Sequence, residues 1–210
     1  MHIVDGALSA PVLISGGLLA VAGVAAGLKR LDSDRVPQVG LLSAAFFVAS
    51  LIHLPVVGTA SSVHLILNGL VGLALGWAAF PALAVALLLQ AVFFGFGGLL
   101  VLGVNTVNIA LPALIVFWLF GRKIRRSELR VAAVWGAVGG ALSIAITAVM
   151  VAGSLALSGD NFLLAAKLVL LSHIPVALLE GFITGAAVLL ISQVKPEFFS
   201  VSQGESSEQN

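Results

Sequence analysis

Cysteine is absent from this chain of 210 residues, and charge is scarce, with 9% of residues Asp, Glu, Lys or Arg. Without thiols there are no disulfides, thiolate zinc sites or iron–sulfur clusters, so any metal must be held by nitrogen and oxygen. Soluble domains carry about 25% charged residues. With 60% hydrophobic residues and a mean hydropathy of +1.17, the composition is that of a polytopic membrane protein. There is no GxxxxGK[ST] phosphate loop and no polar stretch large enough to house a nucleotide-binding domain. ATP-driven work would have to come from another chain. No HExxH or Ser/His/Asp arrangement stands out, and no enzyme is expected. The start carries Asp5 where a secretory leader would be basic, so no cleavable signal is expected.

What is present is a succession of apolar runs, each judged against the roughly 20 residues that cross a hydrocarbon core. The expected spans cover residues 7–28, 36–54, 62–80, 81–94, 99–120, 131–157 and 162–194. Pro55 stops the second, Pro81 opens the fourth, the FGFGG stretch (94–98) follows the fourth, and Pro175 is expected to kink the long last one. The fold class is therefore all-α, a membrane helical bundle of about seven transmembrane helices. Residues 1–195 form a single membrane domain, and residues 196–210 are a polar cytoplasmic tail, expected to be disordered. Nine of the ten basic residues (all but Lys167) fall on one side of these spans. By the positive-inside rule that side is the cytoplasm, which places the amino terminus outside and the carboxyl terminus inside.

Within that topology all four histidines, His2, His53, His64 and His173, lie in the outer half. His2 directly follows the initiator, and its bulk predicts that Met1 is retained. The terminal amine, the His2 amide and a His2 ring nitrogen then close adjacent five- and six-membered chelate rings, a planar donor set suited to nickel(II) or copper(II). One position stays open. His64, beyond the Gly58–Ser62 loop, is the best candidate to fill it, and His53 is an outer partner or an alternative ligand. The competing reading of a buried histidine is a hydrogen bond to a backbone carbonyl.

The remaining polar groups each carry two readings. His173 and Glu180, seven apart and on one helical face, are either interhelical glue or a functional pair, with Lys167 as a further partner. Asn105 and Asn108 read by default as interhelical hydrogen-bonders, with a supporting role around the terminus still open to them. Asp5 fixes the pose of MHIVDG by charge or caps the first helix. Gly16, Ala20, Gly23 and Gly27 form a small-residue face that packs inside the bundle or against a partner. Two rival functions use other residues: a membrane metallo-hydrolase on His53, His173 and Glu180, and a secondary ion-coupled transporter on Glu180 and Lys167.

The stretches MHIVDG, SLIHLP with SSVHLILNGLVG, FGFGGLLVLGVNTVN and HIPVALLEGFITG together resemble the CbiM/NikM family, over residues 1 to about 190. The resemblance implies the substrate-capturing component of an energy-coupling factor transporter for cobalt or nickel in a bacterial or archaeal cytoplasmic membrane. It implies an extra amino-terminal helix whose terminus inserts into the bundle. It also implies a transmembrane coupling protein, cytoplasmic ATPases and often a small accessory membrane protein as partners. No cofactor is implied; the metal is cargo. The family's ligands fall on the Met1 amine, the His2 amide and ring, and His64. Where nickel-type members continue with Pro-Thr-Gly after that histidine, this chain reads Leu65-Ile66, so the implied metal is cobalt(II) or nickel(II).

Overall fold

The computed structural model describes residues 3–55 and 62–199; at 53–55 and 62–63 it describes the backbone alone. The helices are α1 (Ala10–Leu28), α2 (Val36–Ala49), α3 (Asn68–Leu75), α4 (Ala79–Phe94), α5 (Leu102–Arg126), α6 (Leu129–Ala156) and α7 (Leu163–Val194). Between α2 and α3 the strands β1 (His53–Pro55) and β2 (Ser62–His64) pair antiparallel, with His53 opposite His64. Five stretches are long and apolar enough to cross a membrane, namely Ala10–Leu28, Asn68–Phe94, Leu102–Arg126, Leu129–Ala156 and Asp160–Val194. The architecture is an all-α membrane bundle carrying one short ribbon.

The direction of each helix follows from its contacts. Along α3, Asn68 bonds the Ile109 carbonyl, Gly72 abuts Ala113 and Gly76 abuts Phe117, so α3 runs parallel to α5. Along α4 the partners lie in and just after α2: Ser43 donates to the Ala82 carbonyl and Gln90 bonds the Ser50 hydroxyl, so α4 runs parallel to α2. The end of α5 and the start of α2 share one end of the bundle, where Arg125 and Gln38 bond the neighbouring carbonyls of Phe199 and Phe198. Thus α2 and α5 are antiparallel, and the chain reverses between α3 and α4. The turn lies at Gly76–Ala78, where Gly76 takes φ +58°, and not at the expected Pro81. Pro81 sits in the first turn of α4. Other boundaries shift as well. α5 starts at Leu102 and continues through the basic run to Arg126, where cations favour a helix C-terminus. α7 is one 32-residue helix with Pro175 inside it. Pro196–Phe199 form a 3-10 turn with Phe199 buried, so packed structure extends four residues past the expected boundary at 195. The rest of the expected tail, 200–210, lies outside the described residues.

Small residues set the helix spacing. The Gly16, Ala20, Gly23 and Gly27 face of α1 is buried, with Gly16 on Val104, Gly23 on Phe80 and Gly27 on Pro81. Of the two readings of that face, packing inside the bundle is the one observed, while Ile14, Leu18 and Val21 point outward. α6 and α7 pack closely through Gly136, Gly140, Gly181 and Gly185. Without a hydrophobic drive between helices in lipid, such contact gains dispersion energy. α3 is buried along all eight residues, and a Cβ on Gly72 would overlap the Ala113 backbone. Gly72→Val is therefore expected to lower stability by about 1–3 kcal/mol or more through overpacking. Gly40→Ala, in open space on α2, is expected to raise it by about 0.5–1 kcal/mol. Thermal unfolding in detergent checks both signs.

Candidate metal centre

The segment ahead of α1 is held by side chains from elsewhere in the bundle. Ile3 is 4% exposed. Its N–H donates to Asn105 Oδ1 (3.1 Å), and Asn105 Nδ2 donates back to the Ile3 carbonyl (3.0 Å). One amide side chain thus satisfies both main-chain groups of a buried residue, as a paired strand would. Asp5 does not cap α1. Its Oδ1 accepts the Val101 N–H (3.1 Å) at the start of α5, and its own N–H donates to the Gly97 carbonyl (3.2 Å). Gly98, at φ +150°, leaves the space that the Asp5 carboxylate occupies; any Cβ there would collide with it. The Ser9 N–H donates to Ser158 Oγ (3.1 Å). Ile3 and Leu8 complete an apolar cluster with Val101, Val104, Val151, Leu155 and Ala166. Met1 and His2, the expected chelating pair, lie outside the described residues, but the residue that follows them is fixed at both backbone groups.

The second anchored segment runs from β2 into α3. His64 is buried, and its Nδ1 donates to the Leu65 carbonyl (3.1 Å), which leaves the lone pair on Nε2. Immediately beyond, Glu180 of α7 accepts from the Ile66 N–H through Oε1 and from the Leu67 N–H through both oxygens (3.0 Å each). Leu67 sits at φ +54°, the one non-glycine residue of positive φ among those described. The Glu180 side chain, 1% exposed, thus accepts the two amides that lead into α3 at its N-terminal end. Asn68, next in the chain, bonds the Ile109 carbonyl and Thr147 Oγ1 (2.9 Å each) and accepts from Ser143 (2.9 Å), tying α3 to α5 and α6.

His173 is buried on the same α7 face as Glu180, and its Nδ1 donates to the Val169 carbonyl (2.6 Å). Lys167 does not join them: it is exposed and stands 13 residues from Glu180, about 20 Å along the helix. Asn105 bonds the amino-terminal segment and not a neighbouring helix, whereas Asn108 does link helices, through Ser154 of α6 (3.2 Å). His53 is placed by its backbone, directly across the ribbon from His64. Among the described residues, no three His, Asp or Glu side chains gather into a group that could hold a metal. Sequence reasoning missed the Glu180 grip on Ile66 and Leu67. Backbone amides as partners leave no mark in a sequence, and a leucine carries no sign of left-handed backbone.

The fold and these two anchors define a polytopic membrane protein in which two short non-helical segments are each held by a buried polar side chain. The family model described as "Cobalt uptake substrate-specific transmembrane region", CbiM, matches residues 2–198. The chain belongs to that family and is a membrane component of metal uptake. It is 46% identical over 205 residues to a putative metal transport protein of Haemophilus influenzae, covering 94% of this chain and 96% of that one. It is 38% identical over 115 residues to a fused nickel transport protein, NikMN, of Rhodobacter capsulatus, covering 52% of this chain and 33% of that one. A crystal structure of a truncated transition metal transporter superposes with a TM-score of 0.73 at 28% identity, covering 92% of this chain and 99% of that one.

Asn105→Leu removes both bonds to Ile3 at nearly constant volume and leaves two buried main-chain groups unpaired, at about 1–3 kcal/mol each. Amide hydrogen exchange of residues 3–8 is expected to accelerate at least about tenfold, with α6 and α7 unchanged. Equal protection in the variant would show that Asn105 does not hold the segment.

Proposed function

We propose that the chain is the substrate-capture component of an ATP-driven importer of the energy-coupling factor type, taking up cobalt(II) or nickel(II). The metal is held by the Met1 amine, the His2 amide and ring nitrogen, and His64. The observation that carries this reading is the pair of anchors: Asn105 fixes Ile3, one residue after His2, and Glu180 fixes Ile66 and Leu67, just after His64. Two short segments that bear the proposed donors are thus held by different helices of one bundle. His64 supports the reading further, since its carbonyl-bonded Nδ1 leaves Nε2 as the nitrogen that can bind metal.

Seven crossings follow when the extended chain and α3 together count as one, which sets the two chain ends on opposite sides of the membrane. Trp77, Trp118 and Trp135 gather at the basic end, with Arg30 over Trp77 (4.3 Å) and Lys123 over Trp135 (4.2 Å). Tryptophan favours the membrane interface and basic residues the cytoplasm. This arrangement supports a cytoplasmic basic end and an outward amino terminus in the inner membrane. A coupling membrane protein and ATPases supply the work, with a small accessory membrane protein beside them. The fused NikMN relative, of which this chain matches a third, supports a second component in contact with this one. A hydrolase using Glu180 is disfavoured because two amides already occupy that carboxylate, and a Glu180–Lys167 transporter pair is disfavoured by their separation.

The test uses the full chain with its native start and a carboxyl-terminal tag. One residue added before Met1, or acetylation of the amine, is expected to abolish high-affinity nickel(II) and cobalt(II) binding in calorimetry, as is His64→Ala. Unchanged affinity in the extended protein would sink the proposal. Because the amide must lose its proton to ligate, affinity is also expected to fall on acidification, by about tenfold per pH unit for each proton released. Titrations at several pH values in buffers of differing ionisation enthalpy count those protons, and a pH-independent affinity would exclude amide ligation.

A further inference from the structure

We propose that the groove between α1 and α4 binds one acyl chain of an anionic phospholipid, whose phosphate is held by Lys29 and Arg30. The site draws on none of the metal donors proposed above.

The groove follows from the way α1 leans. Toward its start α1 rests on α5, with Gly16 on Val104 and Gly17 against Gly103; toward its end it rests on α4, with Gly23 on Phe80 and Gly27 on Pro81. Crossing from one helix to the other leaves a gap of about 520 Å³, within the range of ligand pockets, about 300–1,000 Å³. One wall is a stripe of α1, Gly17, Val21, Val24 and Leu28, spaced by three and four residues and so on one face. Ala84 of α4 with Leu102 and Thr106 of α5 lines the rest, and Thr106 Oγ1 is already engaged, donating to the Leu102 carbonyl (2.8 Å). Such a lining recognises hydrocarbon.

Length selects the kind of hydrocarbon. From Gly17 to Leu28 the helix rises about 16 Å, close to half of the roughly 30 Å hydrocarbon core. That is the depth of one leaflet. It matches a lipid chain and is too short for the spanning helix of a partner. Charge selects the lipid. The groove ends at Leu28, and Lys29 and Arg30 follow directly, both exposed. Arg30 is placed at this mouth: its Nη1 donates to the Ala26 carbonyl (3.3 Å), and its guanidinium lies over the ring of Trp77 (4.3 Å), which leads into α4. Basic pockets between spanning helices bind anionic lipid headgroups, and tryptophan settles at headgroup level. The nearby acidic residues, Asp32 and Asp34, belong to the following 3-10 turn, which they share with Arg35.

The experiment uses the full chain, purified from membranes and examined by native mass spectrometry with added phosphatidylglycerol or phosphatidylethanolamine. One phosphatidylglycerol is expected to stay bound. Each cation facing a lipid headgroup contributes about 1 kcal/mol, or about fivefold in affinity, so phosphatidylglycerol is expected to bind at least about tenfold tighter than phosphatidylethanolamine. Lys29→Gln and Arg30→Gln are each expected to lower that preference about fivefold. Gly17→Leu is expected to abolish lipid retention: a Cβ there meets nothing within 4 Å, so the leucine fills the groove and leaves the helix packing intact. Gly40→Leu, also in open space but on α2, is expected to keep the lipid. Retention unchanged in Gly17→Leu, loss in both glycine variants, or equal binding of the two lipids by the unaltered chain each overturns the assignment. A photo-crosslinking side chain at Val21, activated in native membranes, is expected to gain the mass of a phospholipid. A protein-sized adduct would place a partner's helix in the groove and overturn the assignment as well.

Discussion

Main chain that is not helical must find its hydrogen-bond partners among side chains when water is excluded, and this constraint organises the protein. Segments 3–9 and 64–67 are such main chain, packed against helices at Ile3 and Leu8 and at His64–Ile66. Their amides and carbonyls go to Asn105, Ser158 and Glu180, while Asp5 in turn accepts the Val101 N–H. The left-handed turn at Leu67 costs about 1–2 kcal/mol for a non-glycine residue. Intramolecular hydrogen bonds contribute about 0.5–1.5 kcal/mol each, so the Glu180 bonds to Ile66 and Leu67 together are sufficient to hold it.

Packing makes room for these loops. α3 fits into the centre because Gly69 and Gly72 bring its backbone against α6 and α5, with Asn68 satisfied by three neighbours at the point of closest approach. The small faces of α1, α6 and α7 point inward, and Leu18, Val149, Leu164 and Leu178 point to lipid. Size, more than polarity, separates inside from outside in this bundle, as expected where both environments are apolar.

This also sets what could be read in advance. The all-α membrane class was legible because the length of an apolar run is dictated by the bilayer, and the family was legible from four stretches of residues. The reversal was misplaced because Pro81 is a common helix-start residue, while the turn is made by Gly76 in an apolar run that offers no punctuation. Asp5 and Asn105 were each singled out with two readings. Choosing between them required the tertiary partner, Val101 for one and Ile3 for the other, a hundred residues away. Glu180 was placed on the right face with His173, but its partners are amides, and every residue has an amide.

The distribution of anchors carries a mechanical consequence. The amino-terminal segment moves with α5, through Asn105 and the Asp5–Val101 bond, whereas the His64 segment moves with α7, through Glu180. α5 and α7 are tied to one another through α3 and α6, by Asn68 with its partners and by the glycine-lined α6–α7 contact. The proposed site, which draws on both segments, is therefore complete only at one spacing of α5 and α7. A displacement of about 1 Å is enough to break coordination geometry. Helix shifts of that size are an ordinary response to force at a membrane-protein interface. On the proposed reading, tight capture and release of a metal need no separate gate: the packing that closes the proposed donor set is the same packing that, once disturbed, opens it.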